Sequence, residues 1–469
     1  MLTERPRPAV IRDHRHAGWL AVATVCFGAF MGQLDASIVT LTFPALQHEF
    51  HAPLAAVQWV SLSYLLTLVG LMVAVGRIAD AAGRKAVYLY GFAVFTAASA
   101  ACALVPNLGW LVVARVAQAL GAAMLQANSV ALVVTSVPRR SMRSALGVQA
   151  AAQALGLALG PAVGGLLVAS AGWRWVFWVN VPVGAVALVA GRYLLPRTRE
   201  HSVLGRFDWP GLVLLGVATT ALLLALSGVS GLPMPGWAAL ALLVASVAAA
   251  TAFAVRERRC ANPLIDVSLL RGRPGSSRTV SVGLAGALGA YLVLFGPLTL
   301  FPQVFAGASG GLVITALPAG FAVAAVLVNQ VMPARWGTRV RCLAGGVAFV
   351  AGAGALLAAP ASHAWVAGWL AVMGLGLGVF IPANNTAIMA AVPTRMAATG
   401  GGLVNMGRGL GTALGVTAVT LSLHFAGGAA AAGAARPALA ALAVLALATG
   451  LTVLAMPARA ARPQSDRRT

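Results

Sequence analysis

The sequence predicts an all-α polytopic membrane protein: two six-helix bundles with two further helices inserted between them. Three observations predict it. Of 469 residues, 60% are hydrophobic and only 9% are charged, against about 25% charged in soluble domains, so a soluble globular chain is excluded. The apolar residues fall in runs of about twenty, the length that crosses a bilayer as a helix. The 32 Lys and Arg residues collect in alternate loops, as the positive-inside rule requires.

Apolar runs bounded by Gly, Pro and Arg clusters mark fourteen spans, near 17–41, 54–75, 86–105, 109–135, 145–169, 174–195, 209–228, 236–255, 278–302, 311–332, 342–359, 364–391, 400–425 and 437–456. The tail 1–16 carries Arg5, Arg7, Arg12 and Arg15 before the first run, which is too long for a cleaved signal segment and reads as a retained helix. Residues 17–195 and 278–456 each hold six spans. Between them, 196–277 holds the inserted pair with its cytoplasmic linkers, and 457–469 is a second tail. Parallel six-span repeats are a transporter architecture.

With both termini cytoplasmic, 28 of the 32 basic residues lie inside; Arg174 and Arg436 lie outside, and Arg115 and Arg408 lie within spans. The formal net charge of +22 therefore encodes orientation and contact with anionic lipid, and nucleic acid is not an expected partner. The four cysteines have no paired spacing and the seven histidines form no HxxxH pair. No metal, cofactor or enzyme chemistry is expected.

The loop after the second span reads Gly76-Arg-Ile-Ala-Asp80-Ala-Ala-Gly83-Arg84-Lys85. It resembles the signature loop of the major facilitator superfamily, G-x-L-x-D-x-x-G-R-K/R. Leu34-Asp35-Ala-Ser37-Ile38-Val39 with Pro44 is similar to the first-span signature of the superfamily's fourteen-span drug:proton antiporters. Gly156-Leu-Ala-Leu-Gly160-Pro161-Ala-Val-Gly164-Gly165 resembles their antiporter motif, and Gly402-Leu403-Val-Asn405-Met-Gly-Arg408-Gly-Leu-Gly411 their thirteenth-span pattern. Trp173-Arg174-Trp175, Asn180-Val-Pro182, Phe207-Asp208-Trp209 and Asn262-Pro263-Leu264 fall in the same order. Some positions depart: Ala334 replaces the acid of the second-half loop copy, Gln126 a proline in span four, and Ala119 the glycine after Gln118.

The resemblance implies a major-facilitator fold in a bacterial inner membrane. Its implied function is export of a small lipophilic drug, antibiotic or metabolite in exchange for protons. A facilitator or importer of one metabolite, or a non-transporting sensor or scaffold, are the alternatives; a monomer is expected. Asp35 is the one acid well inside an apolar span, where an ionised carboxylate must be paired, hydrated or protonated. At 1.5 Å per residue, Asp35 and Arg115 both lie on the order of 9 Å below the outer interface, so they are expected to meet. The resemblance makes them the proton-coupling pair, with a structural salt bridge as the other reading. Desolvation disfavours a carboxylate and a guanidinium favours it, so bundle movement would switch which form is held.

The resemblance makes Gly76, Asp80, Gly83, Arg84 and Lys85 a conformational gate, with Asp80 facing the helix that starts near Thr399. Gly156, Gly160, Pro161, Gly164 and Gly165 form a close-packing, bendable face. Candidate substrate-cavity residues are Gln33, Trp59, Tyr64, Gln126, Asn128, Gln153, Tyr291, Asn329, Gln330, Asn384, Asn385 and Asn405. Each is equally readable as an interhelical hydrogen-bonding residue. With no acid in the last six spans, a strongly dicationic substrate is disfavoured over a neutral, zwitterionic or monocationic one.

Overall fold

The computed structural model describes residues 7–138, 141–198, 208–260, 274–305, 307–325, 332, 336–358, 362–392, 397–427 and 435–456. Among them there are helices and turns and no strands. We label the long helices α1 (Ala17–Ile38), α2 (Trp59–Ala82), α3 (Arg84–Leu104), α4 (Leu108–Ser136), α5 (Met142–Ser170), α6 (Asn180–Leu194), α7 (Trp209–Val229) and α8 (Gly236–Arg259). They continue as α9 (Pro274–Val304), α10 (Gly307–Val323), α11 (Thr338–Ala358), α12 (His363–Ala391), α13 (Ala397–Phe425) and α14 (Ala435–Thr452). Twelve stretches among the described residues are long and apolar enough to cross a membrane, and α10 is apolar over a shorter stretch.

The ends are fixed by ordinary capping chemistry. Asn107, Asp208 and Ser362 accept from the backbone N–H groups of Trp110, Gly211 and Trp365 at the starts of α4, α7 and α12. The α2–α3 turn runs through Gly83 at φ 107°, a conformation open to glycine and costly for a residue with a Cβ. α1 does not stop at its expected end. It passes through a 3₁₀ turn at Val39–Thr42 into a helix Phe43–Phe50, with Pro44 in the first turn where a missing N–H costs nothing.

The packing repeats. In residues 17–194 the first helix packs on the fifth, the third on the fourth, the second on the fourth and the third on the sixth; α9 to α14 reproduce the same pairings. The most extensive crossed contacts between these groups are α2 with α13 and α5 with α10. α7 lies over the α2–α13 seam, its edge leaving an apolar crevice of about 300 Å³ lined by Leu66, Gly70, Leu215, Gly216, Met406 and Leu410. Gln58 and Trp59 both donate to Ser227 Oγ of α7, at 2.9 and 3.1 Å. Asp208 and Arg256 close the other end of the α7–α8 pair with a 2.6 Å ion pair. Only 11% of the apolar window of α8 is buried within the protein, which puts this helix at the periphery, its Leu and Val side chains facing outward.

Candidate functional site: a buried ion pair behind a central cleft

Asp35 and Arg115 are 0% and 1% exposed. Asp35 comes from α1 and Arg115 from α4. Arg115 Nη1 donates to Asp35 Oδ2 at 2.6 Å, and its Nε donates to the Val60 carbonyl at 2.9 Å. A charge that far from water persists only when paired and fully hydrogen-bonded. The surrounding chain supplies those partners. Gln118, one helical turn beyond Arg115, accepts from the guanidinium through Oε1. Its Nε2 donates to Asp35 Oδ1 at 3.0 Å and to Ser99 Oγ at 2.8 Å. Asn180, the first residue of α6, donates to Asp35 Oδ1 at 3.3 Å. The Arg115 guanidinium also lies 4.2 Å from the Tyr64 ring centre, a desolvated cation–π contact worth about 2 kcal/mol.

Tyr64 is the wall between this pair and a cleft on the seam of the molecule. The cleft is lined by Gly32, Gln33 and Ala36 of α1, Tyr64, Leu65, Leu68, Val69 and Met72 of α2, Gln126 of α4, Tyr291 and Phe295 of α9, and Asn405, Arg408, Gly409 and Thr412 of α13. Its volume is about 20 Å³, room for about one water molecule. The Gln126 amide lies over Gly32 and its Oε1 accepts from Arg408 Nη2 at 2.6 Å, a hydrogen bond that crosses from α4 to α13.

Five sequence-predicted cavity residues, Gln33, Tyr64, Gln126, Tyr291 and Asn405, line the cleft together. Others do not. Trp59 turns away to Ser227. Asn128 is buried and donates to the Met124 carbonyl of its own helix, and Asn384 ties α12 to the Gly283 carbonyl of α9, both at 2.8 Å. Gln153 and Asn385 are half-buried and outside the cleft lining. Asn329 and Gln330 lie outside the described residues, as does the Asp80 side chain, so its expected partnership near Thr399 does too.

Within the loop motif, Gly76 is half-buried beside Ala127 and Gly83 makes the turn. Arg84 opens α3 and is half-buried. Lys85, the chain's single lysine, is 1% exposed; its Nζ donates to the carbonyls of Arg192 and Leu195 at 3.0 and 2.8 Å. A cation there neutralises the negative end of α6. In α5, Gly156 sits on the Phe30 carbonyl, Gly160 on the Ser37 side chain and Gly164 on Ile38, while Gly311 of α10 rests on the Pro161 carbonyl and Gly165 from the other side. The motif helix is therefore pressed between α1 and α10.

Sequence reasoning missed Asn180, Ser99 and Arg408 as site residues. Arg408 was findable: a guanidinium inside an apolar span is as expensive as the carboxylate that singled out Asp35.

The Major Facilitator Superfamily model matches residues 25–416. The tetracenomycin C resistance and export protein of Streptomyces glaucescens is 32% identical over 84% of this chain and 75% of its own. The multidrug resistance protein Stp of Mycobacterium tuberculosis is 33% identical over 84% of this chain and 74% of its own. In three dimensions, the inward-open xylose transporter XylE of E. coli superposes with a TM-score of 0.67 at 12% identity, covering 96% of this chain and 98% of that one.

Proposed function

Because this chain belongs to the Major Facilitator Superfamily, we propose that it is a fourteen-span exporter that expels a lipophilic drug, antibiotic or metabolite from the cytoplasm in exchange for protons. The observation that carries the coupling is the Asp35–Arg115 pair standing behind the Tyr64 wall of the cleft. Resistance and export are functions in the names of the relatives, and they support efflux as the direction here. On this proposal the two halves are 17–195 and 278–456, with 196–277 inserted, and the positive-inside pattern of the basic loops supports cytoplasmic termini.

Hydrogen-bond inventory supplies the switch. The partners of the Asp35 carboxyl oxygens, Arg115, Gln118 and Asn180, all act as donors. A protonated carboxyl is itself a donor and has lost the charge that strengthens these three bonds, so taking up a proton weakens the hold of Asp35 on Arg115. Arg115 then keeps Val60, Gln118 and the Tyr64 face, and it remains charged throughout. An Arg115 less tightly held by Asp35 can shift together with the Tyr64 ring packed on it, and Tyr64 borders the cleft. Proton entry from outside and substrate exit to the outside are thereby exclusive events at one wall.

The test is transport in everted vesicles under an imposed proton gradient. Wild-type protein should accumulate substrate and Asp35→Asn should not, although both insert equally. Full gradient-driven accumulation by Asp35→Asn would overturn the coupling assignment.

A further inference from the structure

Among the described residues, Arg408 is the one charged side chain that lines the cleft, and no acidic residue lines it. Its guanidinium meets neutral groups: the Gln126 amide oxygen and the Tyr291 hydroxyl. Asp35 offers it no compensation, since that carboxylate is already matched by Arg115 behind Tyr64. A second observation points the same way. Tyr64 is 1% exposed, its hydroxyl has no hydrogen-bond partner among the described residues, and it borders the cleft. A cationic fork and a tyrosine with an unused hydroxyl donor therefore border one narrow space whose apolar walls include Leu65, Leu68, Met72 and Phe295 and whose polar walls include Gln33, Asn405 and Thr412. Such a set leaves a half-buried positive charge without a counterion among the described residues, and the ligand that repairs it brings the anion with it.

We propose that the cleft takes amphipathic organic anions, an acid oxygen such as a carboxylate or phenolate on an apolar frame, with Arg408 as the charge partner and Tyr64 as a second donor. This deepens the export reading and rests on it. The anion displaces Gln126 from Arg408, which cuts the hydrogen bond between α4 and α13. Loading and loosening of the seam are then one event, and the cleft, too small here for more than about a water, widens as it fills.

The test compares three naphthalene probes of matched size: 2-naphthoxyacetate, its neutral N-methylamide and a 2-naphthoxyethyl trimethylammonium. Apparent Kd is read from thermal stabilisation of the purified full chain, and uptake from everted vesicles under a proton gradient. The carboxylate should bind about tenfold or more tightly than the other two, as charge-assisted pairing in a desolvated site requires. Arg408→Gln should bring the carboxylate-to-amide ratio to about one, and Arg408→Lys should keep part of it. A merely structural Arg408 would weaken all probes alike and leave the ratio unchanged, which overturns the proposal. So does tighter binding of the ammonium, or binding of none of the three. Gradient-driven uptake of the ammonium without the carboxylate would leave the export reading standing and remove this one.

Discussion

Arg115 binds four groups at once: the Asp35 carboxylate, the Gln118 amide, the Val60 carbonyl and the Tyr64 ring. Removing it alone strands a buried carboxylate, which typically costs about 3–5 kcal/mol, whereas removing both charges spares that cost. Arg115→Gln should therefore lower the thermal stability of the purified protein more than the Asp35→Asn/Arg115→Gln double variant does; the reverse order would mean the pair contributes little. The meeting of these two residues was legible because depth follows from counting along helices. Asn180 was not, because a single sequence does not give the rotation of α6 about its axis. Trp59 was misplaced for the same reason: it sits on the correct helix, on the side that faces α7.

At the level of elements, the glycines of α5 separate two kinds of close approach. A Cβ at Gly156 would strike the Phe30 backbone carbonyl, while one at Gly160 would strike the Ser37 side chain. Overpacking of this kind costs about 1–3 kcal/mol. Both Gly156→Ala and Gly160→Ala should reduce transport, and Ser37→Ala should partly restore the second and no substitution at Phe30 the first, as measured by initial uptake rates at equal expression. The small-residue face was readable from its four-residue spacing. That it serves two neighbours, α1 and α10, was not, because the partner across the seam is set by the global arrangement of the halves. The loop motif was readable as a turn through Gly83; the docking of Lys85 on the end of α6 was not, since it joins residues more than a hundred positions apart.

For the whole molecule, the length and spacing of the apolar runs carried most of the information. Helix locations and the repeat of six both followed from the apolar runs, and the basic loops gave the expected orientation; the crossed contacts α2–α13 and α5–α10 emerge only in three dimensions. Orientation gives a direct check through Cys260, half-exposed at the end of α8 beside Arg256, Arg258 and Arg259. With Cys26, Cys102 and Cys342 replaced by serine, a membrane-impermeant maleimide should label Cys260 in everted vesicles and not in intact cells. Labelling in intact cells alone would invert the topology.

The seam between α5 and α10 meets backbone to backbone, through Gly311, the Pro161 carbonyl and Gly165, whereas the cleft is walled by side chains. In hereditary terms these surfaces age differently. Every missense change at Gly311 adds a Cβ that meets the Pro161 carbonyl and Gly165, so selection prunes that lineage at once. A change at Leu68, Met72, Phe295 or Asn405 alters only what the cleft admits. The close-packed seam is thus held constant while the contents of the cleft are free to drift, and on the proposed export function a new specificity can arise from a single cleft substitution without the seam being rebuilt.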